Sequence, residues 1–280
     1  MTNPKPFLKW AGGKTQLLPE LQKRIPTTWN RETDLYVEPF LGGGALFWEL
    51  QPKNAILADA NEELYIAWLG LDTLYVEDTL KELRELRRRY QLGDPETTYY
   101  DTRAWEPPSS EIGARAARTI FLNKAGFNGL YRVNGKGEFN VPWGKNPAAN
   151  VFDEENLAAC ANFLHDNQTD LNRRDFESLK CGGVEGALVY CDPPYVPTSK
   201  TSNFTAYTVG GFTYADQLRL AVWAARLRAN GAHVILSQAA DEILIDQYRR
   251  LGFKCDKVAA RRNINSKGSK RGPVGEYIIY

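Results

Sequence analysis

Apolar residues fall in short runs along much of this chain, each closed by a glycine, a proline or an acid. Leu35-Tyr36-Val37-Glu38 predicts a buried strand, followed by the turn Gly42-Gly43-Gly44 and an apolar helix start at Ala45-Leu46-Phe47. Asn54-Ala55-Ile56-Leu57-Ala58 predicts a second strand ending at Asp59, before a helix over 62–69. Strand, glycine turn, helix, strand and acid is the opening of a doubly wound nucleotide-binding sheet. The alternation then breaks. Residues 77–90 read as a charged helix with Leu80, Leu83 and Leu86 as its apolar stripe. Residues 91–110, rich in Pro, Asp and Thr, read as a loop, and 114–122 as a helix. The stretch 123–147 is dense in Gly and Asn, with Phe127, Tyr131, Phe139 and Trp143 interleaved. A helix over 154–164 leads back to strands. Residues 71–157 thus read as an insertion into a sheet domain built from 1–70 and 158–280.

The sheet is expected to resume at 169–172 and again at Ala187-Leu188-Val189-Tyr190-Cys191. Thr213-x-x-Asp216 has the form of a capping box, and Leu218, Val222 and Ala225 are expected to line the buried face of the helix it opens. Asn230-Gly231 ends that helix. Further strands are expected at 232–236, 253–258 and 277–280.

The most informative stretch is Asp192-Pro193-Pro194-Tyr195, placed where the run 187–191 ends. Each proline lacks an N–H and fixes its own φ, so the turn is stiff and its carbonyls are not used by a strand ladder. It offers one carboxylate and one aromatic face side by side. Those parts suit a flat heterocycle with an exocyclic amine: acceptors for two N–H bonds, and a ring to stack on.

Composition narrows the chemistry. With 280 residues and 43% hydrophobic positions the chain can bury a large α/β core. Thirty-five Lys and Arg against 34 Asp and Glu leave a net charge of +1, so a nucleic-acid footprint must be local. Such a patch is present at 261–271, where Arg261, Arg262, Lys267, Lys270 and Arg271 occur with no acid. The four cysteines form no Cys-x-x-Cys pair, and the two histidines have no metal-ligand spacing, so no metal is expected. No apolar run reaches membrane-spanning length, and a cytoplasmic, nucleoid-associated location is expected.

Gly12-Gly13-Lys14-Thr15 invites a phosphate-loop reading, but Leu8 stands where that loop needs glycine and no strand lies upstream. A close-approach turn fits better, with Lys14 available to a carboxylate and Trp10 to a cation or ring. The turn after Glu38 with Asp59 downstream implies a nucleoside-containing cofactor. The missing phosphate glycines favour one without a pyrophosphate, such as S-adenosylmethionine. Phe127-Asn128-Gly129-Leu130-Tyr131-Arg132 and Glu138-Phe139-Asn140-Val141-Pro142 offer bidentate side chains and apolar wedges suited to base edges and an opened stack. On residues alone, a DNA-binding module without catalysis and transfer to cytosine N4, RNA or an amide nitrogen stay open.

Taken in order, Phe7-Leu8-Lys9-Trp10-Ala11-Gly12-Gly13-Lys14, Glu38-Pro39-Phe40-Leu41-Gly42-Gly43-Gly44-Ala45, Leu57-Ala58-Asp59, 127–132, 139–142 and 192–195 resemble the Dam-like, GATC-directed DNA adenine-N6 methyltransferases. The resemblance spans nearly the whole chain. It implies a Rossmann-like S-adenosylmethionine methyltransferase sheet, seven-stranded and mixed, with a largely helical DNA target-recognition domain inserted. It implies cofactor contacts from Trp10, Ala11, Gly12, Lys14, Glu38, Phe40, Gly42, Asp59 and Asp192, with Asp175 and Phe176 at the cofactor's adenine. The catalytic turn would be Asp192, Pro193, Pro194 and Tyr195. Lys9 and Arg132 would read guanines of GATC in double-stranded DNA. Phe127, Asn128 and Leu130 would enter the duplex, and Asn140, Pro142, Arg261, Lys267, Lys270 and Arg271 would add DNA contacts. Phe127 stands where many relatives have Tyr, and Lys145-Asn146 where they often have Arg-Tyr. A cognate restriction endonuclease acting separately is left open.

Overall fold

The computed structural model of the chain describes residues 2–10, 14–179, 183–195, 211–261 and 273–280, apart from the side chains of 259–261, 273 and 274. Among them, β1 (Leu35–Glu38), β2 (Asn54–Asp59), β3 (Gln168–Arg173), β4 (Leu188–Cys191), β5 (His233–Ala239), β6 (Cys255–Arg261) and β7 (Pro273–Ile279) form one sheet. The strand order is β3-β2-β1-β4-β5-β7-β6. Strands β3, β2, β1, β4 and β5 run parallel, and β7 is antiparallel to both β5 and β6. The expected α/β fold with a mixed seven-stranded sheet is what the chain forms.

The short apolar runs are strands because both sheet faces are covered. Tyr36, Leu188, Tyr190 and Ile235 enter the hydrophobic cluster on one face, while Val37, Val189, Cys191 and Leu236 enter the cluster on the other. Helices α8 (Tyr214–Ala229) and α9 (Glu242–Arg250) pack on the second face. On the first lie α1 (Leu18–Gln22), α2 (Ala45–Leu50), α3 (Glu62–Leu69) and α7 (Glu154–Asp166), joined by α4 (Val76–Leu92), α5 (Pro95–Ala104) and α6 (Ile112–Ala125). Leu80, Leu83 and Leu86 of α4, Tyr99 of α5 and Phe121 of α6 belong to the same cluster as Tyr36 and Tyr190 of the sheet. The helices of 71–157 therefore share one continuous core with the strands.

Three expectations need correction. Residues 91–110 are not a loop throughout, since α5 occupies their middle. Asp94 caps it by accepting from the Thr97 N–H, with Pro95 in the first turn, where a missing N–H costs nothing. Leu218 and Val222 are exposed, and the buried face of α8 is Gln217, Leu220, Ala221, Trp223, Ala224 and Leu227. Two stripes compete on that helix. The one with small residues and a large ring wins the close sheet contact. Helix α9 went unrecognised, although Asp241 caps it through the Leu244 N–H.

The helix layers meet at Gly70, directly after α3. A Cβ there would lie 2.2 Å from Ala116 Cβ of α6 and 2.9 Å from Thr79 Oγ1 of α4. Gly70→Ala is expected to lower the unfolding free energy by about 1–3 kcal/mol through overpacking, measured by denaturant titration. A change within ±0.5 kcal/mol would show that these helices yield freely.

Candidate active site

Strand order reverses between β1 and β4. Tyr36 and Val37 pair with Leu188 and Val189, while the chain leaves β1 towards β2 on the other side. Ligands of such sheets sit outside the strand C-termini at this switch point. Glu38 ends β1, Asp192 follows β4, and Asp59 ends β2 beside them. The topology brings these three carboxyls to one edge.

The turn after β1 is shaped by what lies against it. Gly42 has φ +51°, and a Cβ on it would lie 3.0 Å from Trp10 Cδ1. Gly44 has φ +65°, and a Cβ there would lie 2.7 Å from Trp68. Trp68 Nε1 donates to the Gly42 carbonyl at 3.0 Å. Only glycine meets both the conformation and the space at these positions. Asp59 Oδ2 accepts from the Gly42 N–H at 3.1 Å and its Oδ1 from the Asn61 N–H at 2.9 Å, fastening the turn to the start of α3. Burial pushes the Asp59 carboxyl up to about 6, with the N–H groups of Asn61 and Gly42 pulling the other way. Glu38 is buried and accepts from the Tyr36 hydroxyl at 2.8 Å. Burial drives its carboxyl well above the ordinary range, the Tyr36 hydroxyl opposing and the nearby Asp192 charge adding.

Around 192–195 the side chains form one network. Lys14 Nζ lies 2.9 Å from Asp192 Oδ1 and 4.7 Å from the centre of the Tyr195 ring. Tyr195 donates its hydroxyl to Glu276 Oε2 on β7 at 3.1 Å. Gln217 Nε2 of α8 donates to the Pro194 carbonyl at 2.8 Å. Burial raises the Asp192 carboxyl to about 6 against the pull of the Lys14 ammonium. A carboxylate with that value and a pinned ring are what a hydrogen-bonding, stacking site for an aromatic amine needs.

Trp10, which lies against Gly42, stacks on Tyr131 with ring centres 5.2 Å apart. Asn123 of α6 accepts from the Lys9 N–H at 2.8 Å and donates to the carbonyls of Lys9 (2.6 Å) and Gly129 (3.1 Å). A Cβ on Gly129 would lie 2.6 Å from Lys9 Cβ, so the 127–129 turn rests directly on Lys9. Phe127 and Asn128 are exposed on that turn, Asn128 with φ +55°, and Leu130 is half-buried after it. Arg132 donates Nε to Asn140 Oδ1 at 2.7 Å and Nη2 to the Asn140 carbonyl at 3.0 Å, so its guanidinium is held outward. Pro142 is exposed on the return strand of this hairpin, where its carbonyl accepts from the Phe127 N–H.

Two other expected positions are differently engaged. Asp175 is exposed and accepts from Arg219 Nη2 at 2.8 Å, while Phe176 is buried against Phe40, Phe212 and Trp223. The Phe40 ring that packs on Phe176 is half-buried. Ala11, Gly12, Lys267, Lys270 and Arg271 lie outside the described residues, as does the Arg261 side chain at the end of β6. Asn123, Gln217, Gln238 and Glu276 escaped the sequence reading. Gln217 carried one usable signal, its place one residue inside a capping box on the sheet-facing side.

Residues 10–264 match the family model of the D12 class N6 adenine-specific DNA methyltransferases. The chain belongs to this family. It is 37% identical over 282 residues to the Type II methyltransferase M1.LlaDCHI of Lactococcus lactis subsp. cremoris, covering 99% of this chain and 95% of the relative. With the Type II methyltransferase M.MjaIII of Methanocaldococcus jannaschii it shares 40% over 281 residues, covering 95% of each. With the DNA adenine methylase of Escherichia coli K12 the identity is 34% over 287 residues, covering 99% of this chain and 95% of that protein. Methyltransferases of this family generally use S-adenosylmethionine. The donor set at the switch point fits such a group: half-buried rings of Trp10 and Phe40 beside the glycine turn, and carboxyls suited to hydroxyls and a cationic sulfur. Adenine as acceptor sets aside the cytosine, RNA and amide alternatives.

Proposed function

We propose that this D12-class enzyme methylates N6 of an adenine extruded from duplex DNA, within GATC, using S-adenosylmethionine. The observation that carries the reading is the stiff turn 192–195 at the sheet's switch point, its carboxylate held by Lys14 and its ring by Glu276. Trp10, Ala11, Gly12, Lys14, the turn 38–44, Asp59 and Asp192 would hold the cofactor, with Asp175 and Phe176 at its adenine beside the Phe40 ring. When bound, S-adenosylmethionine supplies an electrophilic methyl on a positively charged sulfur.

The protein's part is to present the nucleophile. Extrusion of the base costs a few kcal/mol, and stacking on Tyr195 returns about 1–3 kcal/mol. The exocyclic amine is a weak nucleophile because its lone pair is delocalised into the ring. Hydrogen bonds from N6 to the Asp192 carboxylate and the Pro193 carbonyl favour a pyramidal nitrogen and stabilise the positive charge that develops on it.

Segment 71–157 supplies target recognition. Lys9 and Arg132 read guanines, Phe127, Asn128 and Leu130 enter the duplex, and Asn140 and Pro142 shape that surface. Arg261, Lys267, Lys270 and Arg271 add phosphate contacts. Arg132→Ala is expected to cost about 1–3 kcal/mol in discrimination against sites altered at its guanine, measured by competition between duplexes. Unchanged discrimination would remove Arg132 from base reading.

The enzyme would work in the cytoplasm on the nucleoid; among the described residues no helix is long and apolar enough to cross a membrane. No metal is invoked. The Type II name of two relatives is the ground for a separately acting endonuclease of matching specificity as its biological partner. The direct test incubates the protein with methyl-labelled S-adenosylmethionine and duplexes that carry or lack GATC. Label in N6-methyladenine confined to GATC duplexes supports the reading. Label in other sequences overturns the specificity, and no label in any DNA overturns the function.

A further inference from the structure

Gln217 and Gln238 are buried polar side chains behind the proline turn, at 0% and 1% exposure, and neither belongs to the motifs that define the site. Their amides form a directed chain. The Ala239 N–H donates to Gln238 Oε1 at 3.1 Å, Gln238 Nε2 donates to Gln217 Oε1 at 2.8 Å, and Gln217 Nε2 donates to the Pro194 carbonyl at 2.8 Å. Gln238 lies on β5 and Gln217 on α8, so the chain runs from the central sheet through the covering helix to the turn.

A buried amide costs free energy unless it is hydrogen-bonded, so two of them in an otherwise apolar layer need a reason. Packing does not supply one. Leu220, Ala221, Trp223 and Ala224 already seat α8 on the sheet, and a methionine would fill either position. What an apolar side chain cannot do is donate to a proline-turn carbonyl. Pro193 and Pro194 have no N–H, so the segment cannot be anchored through donors of its own at those residues. At those two residues the backbone can be held only through its carbonyls. The bonds also point one way, each polarising the next towards the Pro194 oxygen.

We propose that Gln217, oriented by Gln238, is a positioning residue for methyl transfer. It clamps the Pro194 carbonyl and so fixes the peptide planes that aim the Pro193 carbonyl and the Asp192 carboxylate at the target amine. Glu276 holds the other end of the same turn through the Tyr195 hydroxyl. The inference rests on the proposed adenine chemistry for its kinetic consequence, not for its structural one.

The test uses the full-length protein with Gln217→Met, Gln238→Met and the double variant. The first readout needs neither DNA nor cofactor: the ¹³C shift of the Pro194 carbonyl in selectively labelled protein. An upfield move in Gln217→Met is expected, and an unmoved resonance overturns the clamp. The second is single-turnover methylation of a GATC duplex beside equilibrium DNA and cofactor binding. Gln217→Met is expected to slow transfer roughly 10- to 100-fold, with both affinities held within about threefold. Gln238→Met should act less strongly, and the double variant should be no slower than Gln217→Met, as members of one chain couple. A rate within twofold of the parent, multiplying effects in the double variant, or losses confined to affinity each overturn the proposal. If Gln217→Met fails to fold, Gln238→Met decides: a shifted Pro194 resonance with slowed transfer supports it, and parental values of both overturn it. A parent protein that methylates no DNA while Gln217→Met still shifts the resonance overturns the adenine chemistry and leaves the clamp standing.

Discussion

Replacing Asp192 by Asn is expected to slow single-turnover methylation by about 10²–10³-fold, the usual loss when one preorganised group facing developing charge is removed. The amide keeps an oxygen acceptor of the same shape but loses the negative charge that answers the positive charge growing on the amine. It also removes the charge of the ion pair with Lys14, whose side chain is only 6% exposed. Asp192→Ala should combine the chemical loss with a drop in stability. A rate for Asp192→Asn within fivefold of the parent would remove this carboxylate from the chemistry.

The same residue sets a pH dependence with opposite signs for rate and stability. In the proposed chemistry the reactive form is the carboxylate, and burial holds its pKa at about 6. Methylation should therefore be level above pH 7 and fall about tenfold per unit below 6. For stability, the folded protein binds this proton more tightly than the unfolded chain, whose carboxyl titrates at its ordinary 3.8. The contribution is fully present below that unfolded value and is lost as pH rises through about 6. Asp59 shifts the same way, also to about 6, and Glu38 is raised further. Between pH 4.5 and 6 these buried acids should make the fold more resistant to denaturant as its activity declines. A rate profile flat down to pH 5 would show that the bound state keeps Asp192 ionised by other means.

Tyr195→Ala is the second large effect, about 5- to 150-fold in transfer, because it removes a base–aromatic stack worth about 1–3 kcal/mol. It also deprives the buried Glu276 carboxylate of its donor. Tyr195→Phe separates the two roles, since it keeps the ring and loses only the hydroxyl. The phenylalanine variant should retain most of the fluorescence rise of 2-aminopurine placed at the target adenine, and the alanine variant should lose it. Equal fluorescence in both would place the extruded base elsewhere.

The proline turn, the glycine turn and the acid ending β2 were legible because each is a local requirement. A proline deletes a donor, and a positive φ in a crowded turn favours glycine, wherever the chain goes next. Parallel strands were legible for a related reason, being short apolar runs that only a doubly covered sheet can bury. Reading failed where two local patterns competed. Leu218 and Val222 made a plausible stripe on α8, but the sheet selected the side bearing Ala221, Ala224 and Trp223. Asp94-Pro95 signals a turn and a helix start equally well, and the packing of Tyr99 into the core decided for the helix.

By itself, then, the chain determined which residues could form a rigid acceptor turn, a close-approach glycine turn and a Gly- and Asn-rich segment interleaved with aromatic rings, since these follow from backbone chemistry within a few positions. Only the tertiary structure decided that Lys14 faces Asp192, that Glu276 and Gln217 grip the turn, and that Asn123 binds Lys9 to the 127–129 loop. The pairs Lys14–Asp192, Tyr195–Glu276, Pro194–Gln217 and Lys9–Asn123 lie from 23 to 178 residues apart along the chain. No local rule reaches so far: a buried polar group takes its partner from whatever the packed layers bring within hydrogen-bond distance.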